Sequence, residues 1–329
     1  MSTKDNITIL VAVLNKKDTI KACVESLLKL DPAPNRIIIV DGGSTDGTYE
    51  TLKEYQGKIN LRQFPKTGLS WRLNWALNNI QTEYTVLTDA DCVVDPEWIN
   101  ELTKGFEENN VIATAGYCGT PENVSALQKV IGLELENRFK RFPQYIVRAP
   151  TMNLCLKTKI AKKVKFDEQQ LVDVETDFGF RLIKFGKMKY CPKALIWHYH
   201  RSSWKNYFNQ QKEYAKWGVR LIFKHKKRAI SDPITTFSMT IQIPLFFGTL
   251  FFLLISFFNA IFFYPAAIMS AAILLIYLKN IIEIKPPLAY CLLFLPLFAF
   301  RTVAWSIGIL SGTDILLSEI FKKKRRTQT

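Results

Sequence analysis

Short runs of apolar residues alternate with amphipathic stretches along the first two thirds of the chain. Residues 7–13, 36–40 and 84–88 are such runs, and they are rich in the β-branched residues that favour strands. Residues 18–30, between the first two runs, have the apolar spacing of a helix. A strand, a helix and a second strand in this order predict a right-handed parallel crossover. The pattern therefore predicts an α/β fold with buried strands.

Polar residues follow these predicted strands directly. Asn15 follows the first, Asp41 ends the second, and the third runs into Asp89 and Asp91. Parallel strands end at one edge of a sheet, where α/β proteins bind ligands. Two such close carboxylates repel each other unless a cation lies between them, and Mg²⁺ or Mn²⁺ typically binds carboxylates together with substrate phosphates. Asp-x-Asp alone is more typical of a surface turn, but its position among these strand ends favours a metal-bound diphosphate.

Glycines and cations lie close to the same predicted edge. Gly42 and Gly43 follow Asp41 and let the backbone approach a ligand closely. Gly68 opens an amphipathic helix one strand before the Asp-x-Asp pair, with Lys66 and Arg72 on either side. Amides at a helix start together with two cations form a candidate cradle for a diphosphate.

The last third of the chain is much more apolar. Residues 234–278 contain no charged residue, and at roughly 20 residues per span this length predicts two transmembrane helices. They are placed at residues 235–257 and 259–278. A third apolar stretch, residues 288–310, carries Pro296 and Arg301. Because a charge at the bilayer centre costs about 2.5–3.5 kcal/mol or more, we expect this stretch to be re-entrant or interfacial.

The chain is strongly basic, with a formal net charge of +15, which indicates an anionic partner. Basic and aromatic residues interleave in residues 201–232, immediately before the apolar region. This position favours an anionic membrane surface over nucleic acid as the partner. Six scattered cysteines without a Cys-x-x-Cys pair, and only three histidines, disfavour a zinc site or a disulfide framework and fit a reducing compartment.

Four motifs, taken in order, resemble the family-2 glycosyltransferases of the GT-A fold. They are VAVLNKKDTI at 11–20, VDGGSTDGT at 40–48, K-x-G-x-x-x-x-LN-x-AL at 66–77 and TDADC at 88–92. The resemblance covers roughly the first 225 residues. It implies a Rossmann-like mixed sheet and an inverting, hexosyltransferase-type enzyme. The implied ligands are a UDP- or GDP-sugar with Mg²⁺ or Mn²⁺, and the implied acceptor is lipid-linked.

The resemblance also assigns roles to individual residues. In the family the acid after the second strand contacts the nucleobase, which places Asp41 in that role. The first Asp of Asp-x-Asp helps to hold the nucleoside diphosphate and the second holds the metal, which correspond to Asp89 and Asp91. The donor-binding set is Val13, Asn15, Asp41, Lys66, Gly68, Arg72, Asn74, Asp89 and Ala90, and the metal set is Asp89, Asp91 and His200. Many relatives have a Lys directly after the loop glycine, where this chain has Leu69. The positive charge for the diphosphate would then be supplied by a neighbouring cation, Lys66 or Arg72.

The catalytic base of the family lies in an acid-rich helix start. Its register falls on Glu175, with Asp177 beside it, and the sequence leaves open which of the two acts. Acids are also favoured in a first helical turn by the helix dipole, so capping is the alternative interpretation. His198 and His200 are predicted at alternate positions of one strand face, where His200 is either a third metal ligand or a hydrogen-bonded core histidine.

A helix predicted at residues 203–223 resembles a Gln-Gln-x-x-Tyr-x-x-Gly form found in membrane-bound polysaccharide relatives, which places Gln210, Gln211 and Tyr214 on the acceptor side. It lacks the Gln-x-x-Arg-Trp form of processive synthases. We predict a cytosolic catalytic domain, an interface helix and a membrane domain at the cell membrane. Their predicted ranges are 1–200, 201–233 and 234–329. The alternatives are a processive polysaccharide synthase and a membrane-anchored binding module without catalysis.

Overall fold

The computed structural model describes residues 6–226 and 232–326, which its contacts divide into two compact units. The first unit contains residues 6–123 and 139–200, and the second contains residues 124–138, 201–226 and 232–326. One boundary between the two units lies after residue 200, which is also the predicted end of the catalytic domain. Residues 124–138 group with the C-terminal helices, which the sequence did not indicate.

A mixed β-sheet forms the first unit, and it has nine strands in the described residues. The strands are β1 (Ile7–Val13), β2 (Arg36–Asp41), β3 (Asn60–Gln63), β4 (Tyr84–Asp89), β5 (Cys92–Val94), β6 (Val111–Gly119), β7 (Tyr145–Ile146), β8 (Leu154–Lys157) and β9 (Lys187–His198). Their order is β3-β2-β1-β4-β8-β6-β9-β5, with β7 paired to β9. The predicted α/β fold with a mixed sheet is confirmed.

The helices in the described residues divide between the two units. They are α1 (Lys17–Leu28), α2 (Thr48–Lys53), α3 (Leu69–Asn79), α4 (Trp98–Thr103), α5 (Ala126–Phe139), α6 (Thr158–Val164), α7 (Val174–Leu182), α8 (Trp204–His225), α9 (Phe237–Thr240), α10 (Gln242–Ser256), α11 (Phe263–Ile284), α12 (Leu288–Ser311) and α13 (Thr313–Arg326). Helix α1 illustrates the local logic, because its buried residues recur at helical spacing on one face. They are Ile20, Cys23, Val24 and Leu27.

The register of the parallel strands brings their polar ends together. β1 pairs with β2 and with β4, so that Val13 lies opposite Asp41 and Ala12 lies opposite Asp89. The ends of these three strands therefore form one side of the sheet, which we call the carboxyl edge. The residues that the sequence predicted to bind a ligand begin at this edge.

Two segments of the sheet are locally irregular. Residues 151–156 begin as a 3₁₀ turn, Thr151–Asn153, and are extended only from Leu154. Residues Lys187–His198 form the single strand β9 although they include a proline. Pro192 does not end this strand, because it falls in an irregularity of the β6–β9 pairing where no ladder hydrogen bond is needed.

The second unit contains three helical segments that are long and apolar enough to cross a membrane. They are Phe237–Ser256, Ala260–Ile284 and Leu288–Ile320. The first two expose most of their apolar side chains, whereas the third is considerably more buried within the unit. Pro296 does not interrupt α12, which continues from Leu288 to Ser311.

Arg301, the charge within α12, is almost completely buried and is paired. Its guanidinium binds the carboxylate of Glu134 on α5, a residue 167 positions earlier in the chain. The rings of Phe298 and Trp305 cover the guanidinium, with centroids 4.9 and 5.4 Å from its Cζ. Removal of either partner from a buried ion pair leaves an uncompensated charge, so Glu134 and Arg301 depend on each other.

Candidate active site

Asp41 organises the loop that follows β2. Its carboxylate is fully buried and accepts hydrogen bonds from the backbone N–H groups of Gly43 (2.8 Å) and Ser44 (2.9 Å). The Ser44 hydroxyl and Gln63 Nε2 also donate to it, the latter at 2.9 Å. Gln63 reaches Asp41 because the two residues pair across β2 and β3. This carboxylate therefore fixes the backbone of the loop, and its contact with a nucleobase stays a prediction.

Asn15 joins the loops after β1 and β2. It adopts a left-handed backbone conformation (φ 52°), which Asn tolerates better than most residues. Its N–H donates to Ser44 Oγ and its Oδ1 accepts from the N–H of Thr45, both at 2.9 Å. The next residue, Lys16, donates its N–H to Thr48 Oγ1 at 2.7 Å. The two loops therefore form one continuous wall at the carboxyl edge, beyond the buried end of β1 at Val13.

The Asp-x-Asp pair lies where β4 ends. Asp89 Oδ1 accepts a hydrogen bond from Thr151 Oγ1 (3.1 Å), and the carbonyl of Ala90 accepts one from Thr19 Oγ1 (3.0 Å). Asp91 is held differently, because both of its carboxylate oxygens face cationic or imidazole groups. The Lys16 ammonium contacts Oδ2, and His198 Nε2 lies 3.3 Å from Oδ1.

Because their neighbours differ, Asp89 and Asp91 have pKa values shifted in opposite directions. Burial, together with the charge of Asp91, raises the pKa of Asp89 above its ordinary value. Burial also acts to raise the pKa of Asp91, but His198 and Lys16 outweigh it and hold that pKa far below its ordinary value. Asp91 is therefore the carboxylate that stays ionised and able to bind a cation.

His198, and not His200, contacts Asp91. β5 pairs with β9 so that Cys92 lies opposite His198, which brings this imidazole beside the preceding residue, Asp91. β9 ends at His198, so only the first of the two histidines lies within the strand, although their rings are in contact as expected for alternate positions on one face. His200 lies beyond the strand end, with its Nδ1 3.1 Å from His198 Nδ1. Its assignment as a metal ligand stays a prediction; its Nδ1 contacts His198, which in turn contacts Asp91.

The donor atoms around Asp91 fit a hard or borderline divalent cation. An Asp91 oxygen, a His198 nitrogen and the Cys92 sulfur lie within 4.8 Å of one another. Burial raises the pKa of the Cys92 thiol well above its ordinary value, so that the sulfur stays protonated. A carboxylate and an imidazole remain, which suits Mn²⁺ or Mg²⁺ when substrate oxygens complete the coordination.

The cations of the glycine loop have different environments. Lys66 is exposed and has a left-handed backbone (φ 63°), and the exposed Gly68 precedes the first turn of α3. Arg72 is buried, and its Nη1 donates to the carbonyl of Thr67 at 2.5 Å. The guanidinium lies directly on Gly42, where a Cβ would come within 2.6 Å of Nη1. Arg72 therefore clamps two loops together, and Lys66 is the more accessible cation.

Asn74 is engaged in a structural contact. Its Nδ2 donates to the carbonyl of Phe166 (2.9 Å) and to Glu168 (3.0 Å), and its Oδ1 accepts from the N–H of Phe166 (2.8 Å). These bonds tie α3 to the segment that leads into α7. The predicted role of Asn74 in donor binding is not visible in these contacts and stays a prediction.

The two candidate bases on α7 are in different situations. Asp177 is completely buried, and its carboxylate binds the Nε and Nη2 of Arg181 at 2.7 Å. Glu175 is half-buried. Burial, followed by the charges of Asp173 and Asp89, raises the pKa of Glu175 to about 8. A carboxylate with this pKa is suited to accept a proton near neutral pH, whereas the Asp177 carboxylate is already used in an ion pair.

Arg148 supports the start of α7, and the sequence did not single it out. It is buried, donates to Thr176 Oγ1 (2.5 Å) and lies 3.7 Å from Asp173. Gly179 allows this approach, because a Cβ there would lie 2.7 Å from the Cβ of Arg148. Lys16 and His198 were likewise missed, since the contacts of all three depend on residues distant in the sequence.

The predicted acceptor-side residues lie on α8, in the second unit. Gln211 Oε1 accepts a hydrogen bond from Trp305 Nε1 of α12 at 3.0 Å. Gln210 Nε2 lies 3.4 Å from the hydroxyl of Tyr214, one turn further along the helix. Gln211 therefore contributes to helix packing, and a role for the three residues in acceptor binding stays a prediction.

Residues 8–163 match the family described as glycosyl transferase family 2. The glycosyltransferase GlyA of Streptococcus pneumoniae is 29% identical over 121 residues, which are 36% of this chain and 17% of that protein. A poly-beta-1,6-N-acetyl-D-glucosamine synthase of Staphylococcus epidermidis is 22% identical over 231 residues, which are 67% of this chain and 56% of the synthase. The chain thus spans only about half of the synthase and a smaller part of GlyA.

One solved structure shares the fold over most of its length. The mannosyltransferase PcManGT from Pyrobaculum calidifontis, in complex with GDP-Man and Mn²⁺, has a TM-score of 0.55 at 15% sequence identity. The match covers 94% of this chain and 86% of that one. Because the sequence identity is low, the similarity establishes the GT-A fold and nothing beyond the fold.

Proposed function

We propose that this glycosyltransferase, whose residues 8–163 belong to family 2, transfers a sugar from a UDP- or GDP-sugar to a lipid-linked acceptor. Transfer inverts the anomeric centre, depends on Mg²⁺ or Mn²⁺ and takes place at the cytosolic face of the cell membrane. One observation carries this proposal. Asp91 and His198, a candidate cation-binding pair at the carboxyl edge, lie in the same unit as Glu175, whose half-buried carboxylate feels the charge of Asp89.

Donor binding follows from the groups at this edge. Asp91 and His198 hold the divalent cation, while Lys66 and the amides after Gly68 face the diphosphate. A bound cation supplies charge neutralisation for the leaving diphosphate. The wall built by Asn15 and Asp41 encloses the nucleoside.

Glu175 serves as the general base. It accepts the proton of the acceptor hydroxyl as that oxygen forms a bond to the anomeric carbon, and the bond between this carbon and the diphosphate oxygen breaks with its electron pair on the diphosphate. This single displacement needs one base and no covalent nucleophile. The Asp177–Arg181 pair fixes the helix that carries Glu175.

A panel of nucleotide sugars tests the proposal. We expect the purified full-length protein in detergent to release nucleoside diphosphate from one UDP- or GDP-sugar, and to do so only with Mg²⁺ or Mn²⁺. Adding a lipid-phosphate acceptor should raise the rate and yield a glycosylated lipid. Absence of turnover with every donor of the panel, or full turnover in excess chelator, contradicts the proposal.

A processive polysaccharide synthase is the second candidate. The similarity to the poly-beta-1,6-N-acetyl-D-glucosamine synthase over 67% of the chain favours it. Against it, processive synthases typically have Arg-Trp at the positions where this chain has Glu213 and Tyr214. Product length separates the two: a single added sugar supports the first candidate and a ladder of products supports the second.

Helix packing in the second unit supports a membrane anchor with two spans. Phe257 and Phe258, at the end of α10, are 87% and 89% exposed, as expected for a hairpin tip outside any protein core. α12 behaves differently, because its C-terminal half packs along α8. A Cβ at Gly308 would lie 2.3 Å from the carbonyl of Lys212, and one at Gly312 would lie 2.6 Å from that of Lys216.

This packing determines the depth of α12. α8 carries four lysines and one arginine along its length and suits the membrane surface, not the hydrocarbon core. The half of α12 in contact with α8 lies at the same depth, so α12 does not cross the membrane as a lone helix. We therefore place α8, the end of α12 and α13 together on the cytosolic face.

Labelling with an impermeant thiol reagent in sealed cells tests this topology, in a variant that lacks Cys291. Phe258→Cys, at the hairpin tip, should react from outside, whereas Ser318→Cys, on α13, should react only after permeabilisation. The two positions control for each other, since both side chains lie at exposed sites. Labelling of Ser318→Cys in intact cells means that α12 is a third span.

A further inference from the structure

We propose that Lys16 is an internal competitor for the cation site: its ammonium occupies Asp91 until a divalent cation displaces it, and it then binds the diphosphate of the donor. Cation and donor therefore bind cooperatively. This inference rests on the proposed function, because it assumes that both ligands bind at the carboxyl edge.

The backbone of Lys16 is fixed while its side chain is able to move. Its N–H donates to Thr48 Oγ1 at 2.7 Å, and its carbonyl accepts from the N–H of Ile20 at 2.9 Å as α1 begins. The ammonium reaches across to Asp91 Oδ2, 75 positions later in the chain. The Lys16 side chain is 23% exposed, whereas that of Asp91 is 10% exposed. The lysine can therefore leave toward solvent without rearrangement of the loop.

The two oxygens of Asp91 are used by different groups. His198 Nε2 approaches Oδ1, and the Lys16 ammonium contacts Oδ2. A divalent cation on this carboxylate would stand within a few ångströms of the ammonium if Lys16 stayed in place. Two positive charges so close repel each other strongly, because the Asp91 carboxylate between them is largely buried. Binding of the cation therefore requires that Lys16 move away.

The diphosphate of the donor offers the displaced ammonium a second anionic partner. When no diphosphate is bound, the cation has to break the Lys16–Asp91 ion pair without replacement, which weakens cation binding. When a diphosphate is bound, the ammonium pairs with it beside the cation, so cation binding is no longer weakened. Coupling between two ligands is reciprocal, and the donor must strengthen cation binding by the same factor as the cation strengthens donor binding.

A static ion pair is the alternative, and it predicts a different result. If Lys16 only held Asp91 in place, its removal would leave cation affinity unchanged or lower. If Lys16 competes with the cation, its removal raises cation affinity in the absence of donor. The sign of the change therefore distinguishes the two roles.

The experiment measures Mn²⁺ binding to the full-length protein in detergent by the electron paramagnetic resonance signal of free Mn²⁺, with and without UDP or GDP. For Lys16→Met we expect the Kd for Mn²⁺ without nucleotide to fall about tenfold, within the range typical of coupled sites. The tightening of Mn²⁺ binding by nucleotide should shrink in the same variant. Lys16→Arg keeps the charge and should keep the wild-type coupling.

Lys17→Met is the matched control. Lys17 is the adjacent residue, is exposed, and its alkyl chain passes beside Gly47, away from Asp91. This variant should match wild type in both measurements, and thermal unfolding verifies that all variants fold. A Kd for Mn²⁺ in Lys16→Met that equals or exceeds that of wild type overturns the inference alone. Failure of the wild type to bind Mn²⁺, with or without nucleotide, overturns the metal dependence of the proposed function as well.

Discussion

Replacement of Glu175 by Gln is expected to lower kcat by about 10²–10⁴, the usual loss when a general base is removed. The substitution keeps the size of the side chain but removes the group that accepts the proton of the acceptor hydroxyl. Binding of the nucleotide sugar should change little, because donor binding involves the wall and the loop cations. Initial rates at saturating donor, together with the Kd for the nucleoside diphosphate, measure the two effects separately.

Asp177→Asn is the control for this prediction. Its carboxylate is fully buried against Arg181, so the substitution should mainly lower the free energy of unfolding, by about 3–5 kcal/mol, as in broken buried ion pairs. At a temperature where the variant is folded, kcat should remain much closer to wild type than that of Glu175→Gln. Equal, normal turnover in both variants would show that the base lies elsewhere.

The raised pKa of Glu175 also predicts how activity depends on pH. Only the ionised carboxylate accepts a proton, so kcat should rise with pH and reach half of its plateau near pH 8. Glu175→Gln should lose this dependence along with most of the activity. A flat profile for the wild-type enzyme between pH 6 and 9 is incompatible with Glu175 as the base.

Asp91→Asn is expected to abolish metal-dependent transfer, with a loss of about 10³-fold or more, because a bound cation contributes several kcal/mol to the stabilisation of the leaving group. The neutral amide removes the anionic ligand of the cation, so Mn²⁺ binding should vanish while the sheet stays folded. Mn²⁺ titration followed by turnover assays measures both effects.

Asp46→Asn is the matched control for Asp91→Asn. Asp46 is exposed at the same edge, and its carboxylate accepts from the N–H groups of Lys17 and Thr48, the first residues of α1 and α2. Its replacement should cost about 1 kcal/mol of stability, as for a lost cap, and leave metal dependence unchanged. Metal-dependent activity that persists in Asp91→Asn would remove the basis of the proposed mechanism.

The sequence by itself determined the core of the fold and the position of the site. The apolar runs of β1, β2 and β4 and the helical spacing in α1 are local signals, because burial on one or both faces requires such a pattern over a few residues. The parallel crossover rule then places Asp41 and Asp89 at one edge of the sheet, in agreement with the observed register of the strands. The apolar composition of α10 and α11 is equally local.

Only the tertiary structure decided which groups act on each other at that edge. His198 faces Asp91 through the pairing of β5 with β9, and Lys16 reaches it from the start of α1. Glu134, 167 residues earlier in the chain, neutralises Arg301. This pairing explains how an otherwise apolar helix accommodates a buried charge. Such contacts depend on how distant segments pack, and no periodicity or spacing within one segment encodes them.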